Sequence, residues 1–329
     1  FRIPAEEELF LATRQRRVRE YAPRERASEP RPRPSRQSLG NALWPNWPIV
    51  EQFKDVCLQL GRPPHADEFS MTSKIEWIFG TTAKAWKFVR DHWGAEIFDE
   101  VAVRRREDLL VHFALAHFAR RRLLSELPPQ LRWDVKAYFG SLAKAREGGK
   151  QLLFSIGNLE SIRQACLKAA AGGIGRLDGE HSLFLHSSLV KELPPIVRCY
   201  VGCAAQIFGD LETADVVKIH LQSQKISLMM YQDFFENPLP RLNERIKIRL
   251  GDLDFDYFDY RQNSRTQVLY WKSLIMPHDH LTYEQQSAFD EALSTIPDID
   301  LSGYGPSEER LSRMLREKGM HVSGFIVSG

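Results

Sequence analysis

The chain has 329 residues at 38.0 kDa, with 43% hydrophobic and 27% charged residues, a net charge of +2 and four cysteines. That length suits two domains, and 11% aromatic residues exclude a wholly disordered chain. A mean hydropathy of -0.37 without a long apolar run excludes a membrane-spanning helix. Four scattered cysteines make no disulfide framework, so a reducing, cytoplasmic setting is expected.

The chain opens Phe1-Arg2-Ile3-Pro4 without a leader pattern, and so reads as a piece of a longer protein. Residues 1–45 form a first segment. A terminal helix is predicted over 1–20, acidic at Glu6, Glu7 and Glu8 and basic at Arg14, Arg16, Arg17 and Arg19, a polarity that suits the helix dipole. Pro30, Pro32 and Pro34 then make 22–40 an extended linker. Its surplus of Arg reads most plainly as a solvated tether, with a nucleic-acid-binding arm as the alternative.

Residues 46–150 read as a helical, DNA-binding-like region. Trp47, Val50, Phe53, Val56, Cys57 and Leu60 recur at helical spacing up to Gly61. A short helix is predicted from Lys74 to Phe79, and another carries Ala83, Ala85, Trp86 and Val89. Three short helices around an aromatic core match a helix-turn-helix module in size. Helices are also predicted from Asp108 to Leu124 and from Leu131 to Phe139. Here the chain echoes itself: Ile75 through Phe79-Gly80-Thr81 to Lys84-Ala85 aligns with Val135 through Phe139-Gly140-Ser141 to Lys144-Ala145. Duplication and convergent packing both explain the echo.

Residues 151–275 read as an α/β domain with a small mixed sheet. Strands are predicted at Leu152–Ile156, Leu183–His186, Val216–Leu221, Ile226–Tyr231 and Ile246–Leu250. Helices are predicted at Leu159–Ala170, with Asn158 as N-cap, and onward from Leu193-Pro194-Pro195. A helical tail, 276–329, closes the chain, with a capping box from Thr282 to Gln285 and a helix from Ser307 to Lys318. The expected fold class is α+β.

Chemistry-bearing residues are sparse. Cys199 and Cys203 share a helix face but lack a second ligand pair, so core burial is the simpler reading. His278 and His280 have too few partners for a metal site. Asp252, Asp254, Asp256 and Asp259 alternate with aromatics, as a half-buried edge strand would. No phosphate-binding glycine loop occurs, and no cofactor is expected in this chain. Basic clusters are the best local signal: Arg104, Arg105 and Arg106, then Arg120, Arg121 and Arg122, with Lys84 and Lys87 on the helix-turn-helix-like unit. If that unit's second helix reads a groove, Ser73 and Lys74 lie nearest the bases.

Two resemblances add to this. Gln59-Leu60-Gly61-Arg62-Pro63-Pro64, followed by Phe79-Gly80-Thr81, resembles short helical repeats associated with homing endonucleases, which implies DNA binding. Over residues 1–290 the chain also resembles methyltransferase-like proteins associated with DNA phosphorothioation, from bacterial defence clusters. The matching stretches are Asp108–Arg120, Asp134–Ser141, Leu152–Gly157, Leu183–Leu189, Val217–His220 and Ile226–Phe234. The resemblance implies a non-catalytic, DNA-engaging or scaffold region. Its partners would be DNA, an upstream methyltransferase-like domain that would hold any S-adenosylmethionine, and other phosphorothioation or restriction proteins. The chain departs from that pattern where it keeps little beyond Asn263 and Lys272, and at Asn237-Pro238-Leu239-Pro240. The alternative is that the α/β domain is itself a nuclease or nucleotide-acting hydrolase built on Asp233, Asp252, Asp254, His186 and Lys218.

Overall fold

The computed structural model describes residues 42–119, 127–209, 211, 213–262, 266–297 and 306–329. Residues 1–41, with the predicted terminal helix and linker, lie outside them, as do Arg120, Arg121, Arg122 and Asn263. The fold is α+β, and the chain divides into two compact units. One holds the described residues up to Cys57 with Ala66–Gly94; the other holds Leu58–His65 and Ala95–Gly329.

The first unit is helical. It contains most of α1 (Trp47–Leu60), α2 (Thr72–Phe79) and α3 (Thr82–Trp93). Val50, Phe53, Cys57, Ile75, Ile78, Ala85 and Val89 are fully buried, which is the helical spacing read from the sequence. Phe53 meets Phe69 edge-on at 5.6 Å, and Trp47 stacks on Trp93 at 5.4 Å.

The second unit begins with α4 (Glu96–Phe118), α5 (Pro129–Phe139), α6 (Leu142–Ser155) and α7 (Leu159–Ala171). The Leu152–Ile156 strand expected from the sequence is instead the end of α6. Its apolar residues continue the helical period from Ala145: Leu152, Leu153 and Ile156 pack beside Ala114, Cys199 and Cys203. Gly148 and Gly149, inside this helix, serve as a contact. A Cβ on Gly149 would stand 2.5 Å from Phe113 Cβ and 2.9 Å from the Ala114 nitrogen, so only glycine lets α6 and α4 approach this closely.

Among the described residues, six strands make the main sheet in chain order: β1 (Arg176–Asp178), β2 (Ser182–His186), β3 (Val216–His220), β4 (Lys225–Tyr231), β5 (Leu242–Arg249) and β6 (Asp254–Asp259). Every pairing in it is antiparallel, so the expected mixed sheet is corrected to an antiparallel one. Short connections such as the one between β3 and β4 permit only antiparallel neighbours. Even the helix α8 (Pro195–Phe208), which links β2 to β3, returns the chain antiparallel.

One face of the sheet carries Leu183, Leu185, Val217, Ile219, Ile226, Leu228, Ile246 and Ile248 and packs on α7 and α8. On the other face Phe184, Val216, Met229 and Tyr231 meet Leu269, Ile275 and Met276. The tail adds α9 (Tyr283–Ser294), α10 (Glu308–Glu317) and a hairpin of β7 (His321–Ser323) and β8 (Ile326–Ser328). The expected capping box is absent: Thr282 makes no side-chain cap, and its backbone N–H donates to His280 Nδ1 at 3.2 Å.

Candidate nucleic-acid interface

The echoed sequence folds into the same turn twice. Gly80 ends α2 at φ 83° and Gly140 ends α5 at φ 74°, a left-handed conformation that favours glycine. The following residues are extended and cap the next helix. Thr81 accepts from the Lys84 N–H at 3.2 Å, and Ser141 from the Lys144 N–H at 3.3 Å. Ile75 and Val135, and Ala85 and Ala145, are the matched buried residues.

In the first copy the outer face is open. Ser73 and Lys74 on α2 and Lys84 and Lys87 on α3 are all exposed. Trp77, three residues after Lys74 and so on the same helix face, is 60% exposed. Sequence reasoning does not single out this indole. Its signal was its place outside the buried set Ile75, Ile78 and Phe79. The Lys84 ammonium lies over the turn, 3.9 Å from where a Cβ on Gly80 would stand. Cations beside an exposed aromatic suit phosphates and stacked bases.

In the second copy the matching face is occupied. Asp134, 5% exposed, stands where the first copy has Lys74, and its Oδ1 accepts from Arg62 Nε at 2.6 Å. Arg105 donates to the Gln59 carbonyl at 2.8 Å and reaches Asp134 Oδ2 at 3.5 Å. Trp133 stacks on His65 at 4.2 Å, and the Tyr138 hydroxyl donates to the Leu60 carbonyl. Gly61 permits this docking, since a Cβ there would meet the Ala102 nitrogen at 2.5 Å. The Leu-Gly-Arg-Pro segment is thus spent inside the second unit, with Arg62 only 5% exposed. Of the Arg104–Arg106 triplet, Arg104 is exposed, Arg105 is tied to Asp134, and Arg106 lies 5.2 Å from the Phe139 ring centre.

The sheet face opposite α7 and α8 carries a second basic group that sequence reasoning missed. Strand alternation puts Lys218 and His220 on β3, Ser227 on β4, and Arg245, Lys247 and Arg249 on β5 on that face. Its signal was the basic alternation along β5, read only as strand propensity. Lys218 packs 4.6 Å over Phe184, and Arg245 lies 4.7 Å over Phe258. Burial brings the Lys218 ammonium down to about 8, opposed by Asp178 and helped by Arg245 and Lys247. Burial, then Lys218, Lys247, Lys225 and Arg245, hold His220 down at about 4.

The candidate catalytic residues do not converge. Lys218 is on β3 and Asp254 on β6, three strands away. Asp252, Asp254 and Asp256 gather around Arg249, with the first two at 3.2 and 2.6 Å. Asp233 is exposed on a turn, and His186 Nδ1 pairs with Ser188 Oγ at 2.8 Å. Lys272 is fully buried, donating to the Phe234 and Asn237 carbonyls at 2.6 and 2.7 Å, a structural clamp. Cys199 and Cys203 are free thiols buried in the helical core, and their contact together with burial pushes the Cys203 thiol up. His280 stacks on Phe235 at 3.8 Å, and among the described residues no three His, Cys, Asp or Glu side chains gather as metal ligands would. Among the same residues no helix is long and apolar enough to cross a membrane. No protein-family model, curated protein or solved structure matches the chain.

Proposed function

We propose that the chain is a non-catalytic, DNA-engaging region that serves bacterial DNA modification or defence, the setting implied by its resemblance to phosphorothioation-associated methyltransferase-like proteins. The first helix–Gly–Thr–helix turn makes the contact. Lys74, Lys84 and Lys87 neutralise phosphates, Ser73 lies at the groove edge, and Trp77 packs on the exposed backbone or a base. The observation that carries this reading is the open face of the first turn, where three lysines and an indole are exposed together. A nuclease or hydrolase reading of the sheet domain has no convergent set of side chains behind it.

Filter binding to duplex DNA across salt tests the reading. Binding should weaken steeply with salt, and the triple variant K74Q/K84Q/K87Q should flatten the log–log slope by about 2 to 3. Undetectable binding at low salt, or an unchanged slope in the variant, would end it.

A further inference from the structure

The C-terminal hairpin leaves one strand edge open onto a groove. Among the described residues β7 pairs only with β8. β8 lies toward α9, and β7 toward α10. The two-residue loop Gly324-Phe325, with Gly324 at φ 54°, joins the paired residues Ser323 and Ile326. The pair that closes such a loop exchanges both main-chain bonds, and the pattern alternates from there. The N–H and C=O of Val322 therefore point away from β8. A free strand edge of this kind is a template for another strand.

Room lies beside that edge. A cavity of about 320 Å³ runs between α10 and β7, with an apolar lining from Leu239, Val268, Leu311, Leu315, Met320 and Val322. A second, of about 370 Å³, lies at the Gly324 end and is bounded by Asp233, Glu236 and Pro238. Asn237 and Val322 line both, so the two spaces adjoin along the strand. Together they match a binding site in size.

Charge is divided along the groove. Asp233 and Glu236 are exposed and make no ion pair among the described residues. In the other cavity Glu308 is already held by Arg241 at 2.9 Å. Arg316 pairs with no carboxylate among the described residues and donates to the Ser312 carbonyl at 3.2 Å. The Met320 N–H donates to the Leu315 carbonyl at 2.9 Å, which keeps Arg316 near the start of β7. The groove is therefore negative beside Gly324, apolar in the middle and positive toward Arg316.

We propose that this groove binds an extended peptide segment of a partner protein, added to β7 as an antiparallel strand. The Val322 N–H and C=O bond its main chain. Alternate side chains on one face of the segment lie over Leu311 and Leu315. A basic residue near its N-terminus meets Asp233 and Glu236, and a carboxylate near its C-terminus meets Arg316. Main-chain bonds supply affinity, and the divided charge sets direction. The site is separate from the turn proposed to meet DNA and stands or falls without it.

Fluorescence anisotropy of the full chain with a labelled peptide, acetyl-Lys-Thr-Val-Thr-Val-Thr-Glu, tests the proposal. The wild type should bind it, and should bind the peptide of reversed sequence, whose charged ends are exchanged, more weakly. N-methylation of both valines removes the donors to the Val322 carbonyl and should weaken binding roughly tenfold. D233N/E236Q should weaken it by about threefold and flatten its salt dependence. Ser312 is exposed on α10 and lines the groove, so S312W should fill the space and abolish binding with an unchanged circular dichroism spectrum. No binding by the wild type, equal binding of the reversed peptide, or binding that N-methylation or S312W leaves unchanged overturns the site. Sedimentation tests for a second copy of the chain at the same edge: a dimer that S312W dissolves would also overturn the peptide reading.

Discussion

The two helix–Gly–helix turns share a backbone and differ in what lies against them. Gly80 and Gly140, Thr81 and Ser141, and Ala85 and Ala145 do the same jobs at matched positions. The outer positions diverge. Lys74 is matched by Asp134, Trp77 by Ala137 and Lys87 by Glu147. Phe88 and Val89 are matched by Gly148 and Gly149, which let α6 close onto α4. One turn is therefore a surface and the other a packing platform for the 58–65 segment. Conservation of a turn's backbone says nothing of its use; the residues on its outer face decide that.

The most disruptive way to probe this contrast is to exchange the matched charges for alanine. Asp134→Ala leaves the Arg62 guanidinium buried without its carboxylate, and removing one partner of a buried pair costs about 3–5 kcal/mol. Lys74→Ala, at the same place in the exposed copy, should change stability by no more than about 0.5 kcal/mol. Urea unfolding of both variants measures the difference. Equal losses would show that the two outer faces are equally engaged, and the contrast would be gone.

Acid offers the next largest effect, confined to the unit that holds the second turn. His186 is held down at about 4 by burial and the nearby His280, and His220 at about 4 by burial and its basic neighbours. Between about pH 6.5 and 4 the unfolded chain therefore binds more protons than the folded one. Stability from these histidines is complete above pH 6.5 and is lost progressively as pH falls toward 4. Hydrogen exchange corrected for intrinsic rates should show protection in β2 to β4 falling across that window. Flat protection there would mean that neither histidine is held neutral by the fold.

How much of this was legible in the sequence follows from the range of the forces involved. The paired turns were visible because a left-handed glycine and a hydroxyl cap are local devices with fixed spacing. The strands β2 to β6 were visible through their β-branched and alternating residues. The end of α6 reads as a strand because the run Leu152 to Ile156 is apolar but for Ser155, and only packing beside Ala114, Cys199 and Cys203 shows it as a helix face. The sheet was expected to be mixed because strand direction is set by partners far along the chain, which no local pattern records. The burial of Arg62 was hidden for the same reason, its carboxylate lying 72 residues away. The basic sheet face needed register, since Lys218, Ser227 and Lys247 become neighbours only when three strands pair.

The smallest effect bears most directly on the contrast. Thr81 and Ser141 cap their helices in the same way and both are exposed, so T81A and S141A should each cost about 1 kcal/mol. Their stabilities should then be indistinguishable, while their effects on duplex DNA binding part. The Thr81 cap fixes the first turn of α3, which carries Lys84, so T81A should loosen a phosphate contact and weaken binding by a few-fold. Ser141 fixes a turn that leads into the packed helix α6, and S141A should leave DNA affinity unchanged. If S141A weakened DNA binding as much as T81A, the second turn would be a contact surface too. Both turns would then be interfaces, and the 58–65 segment would cover only part of the second.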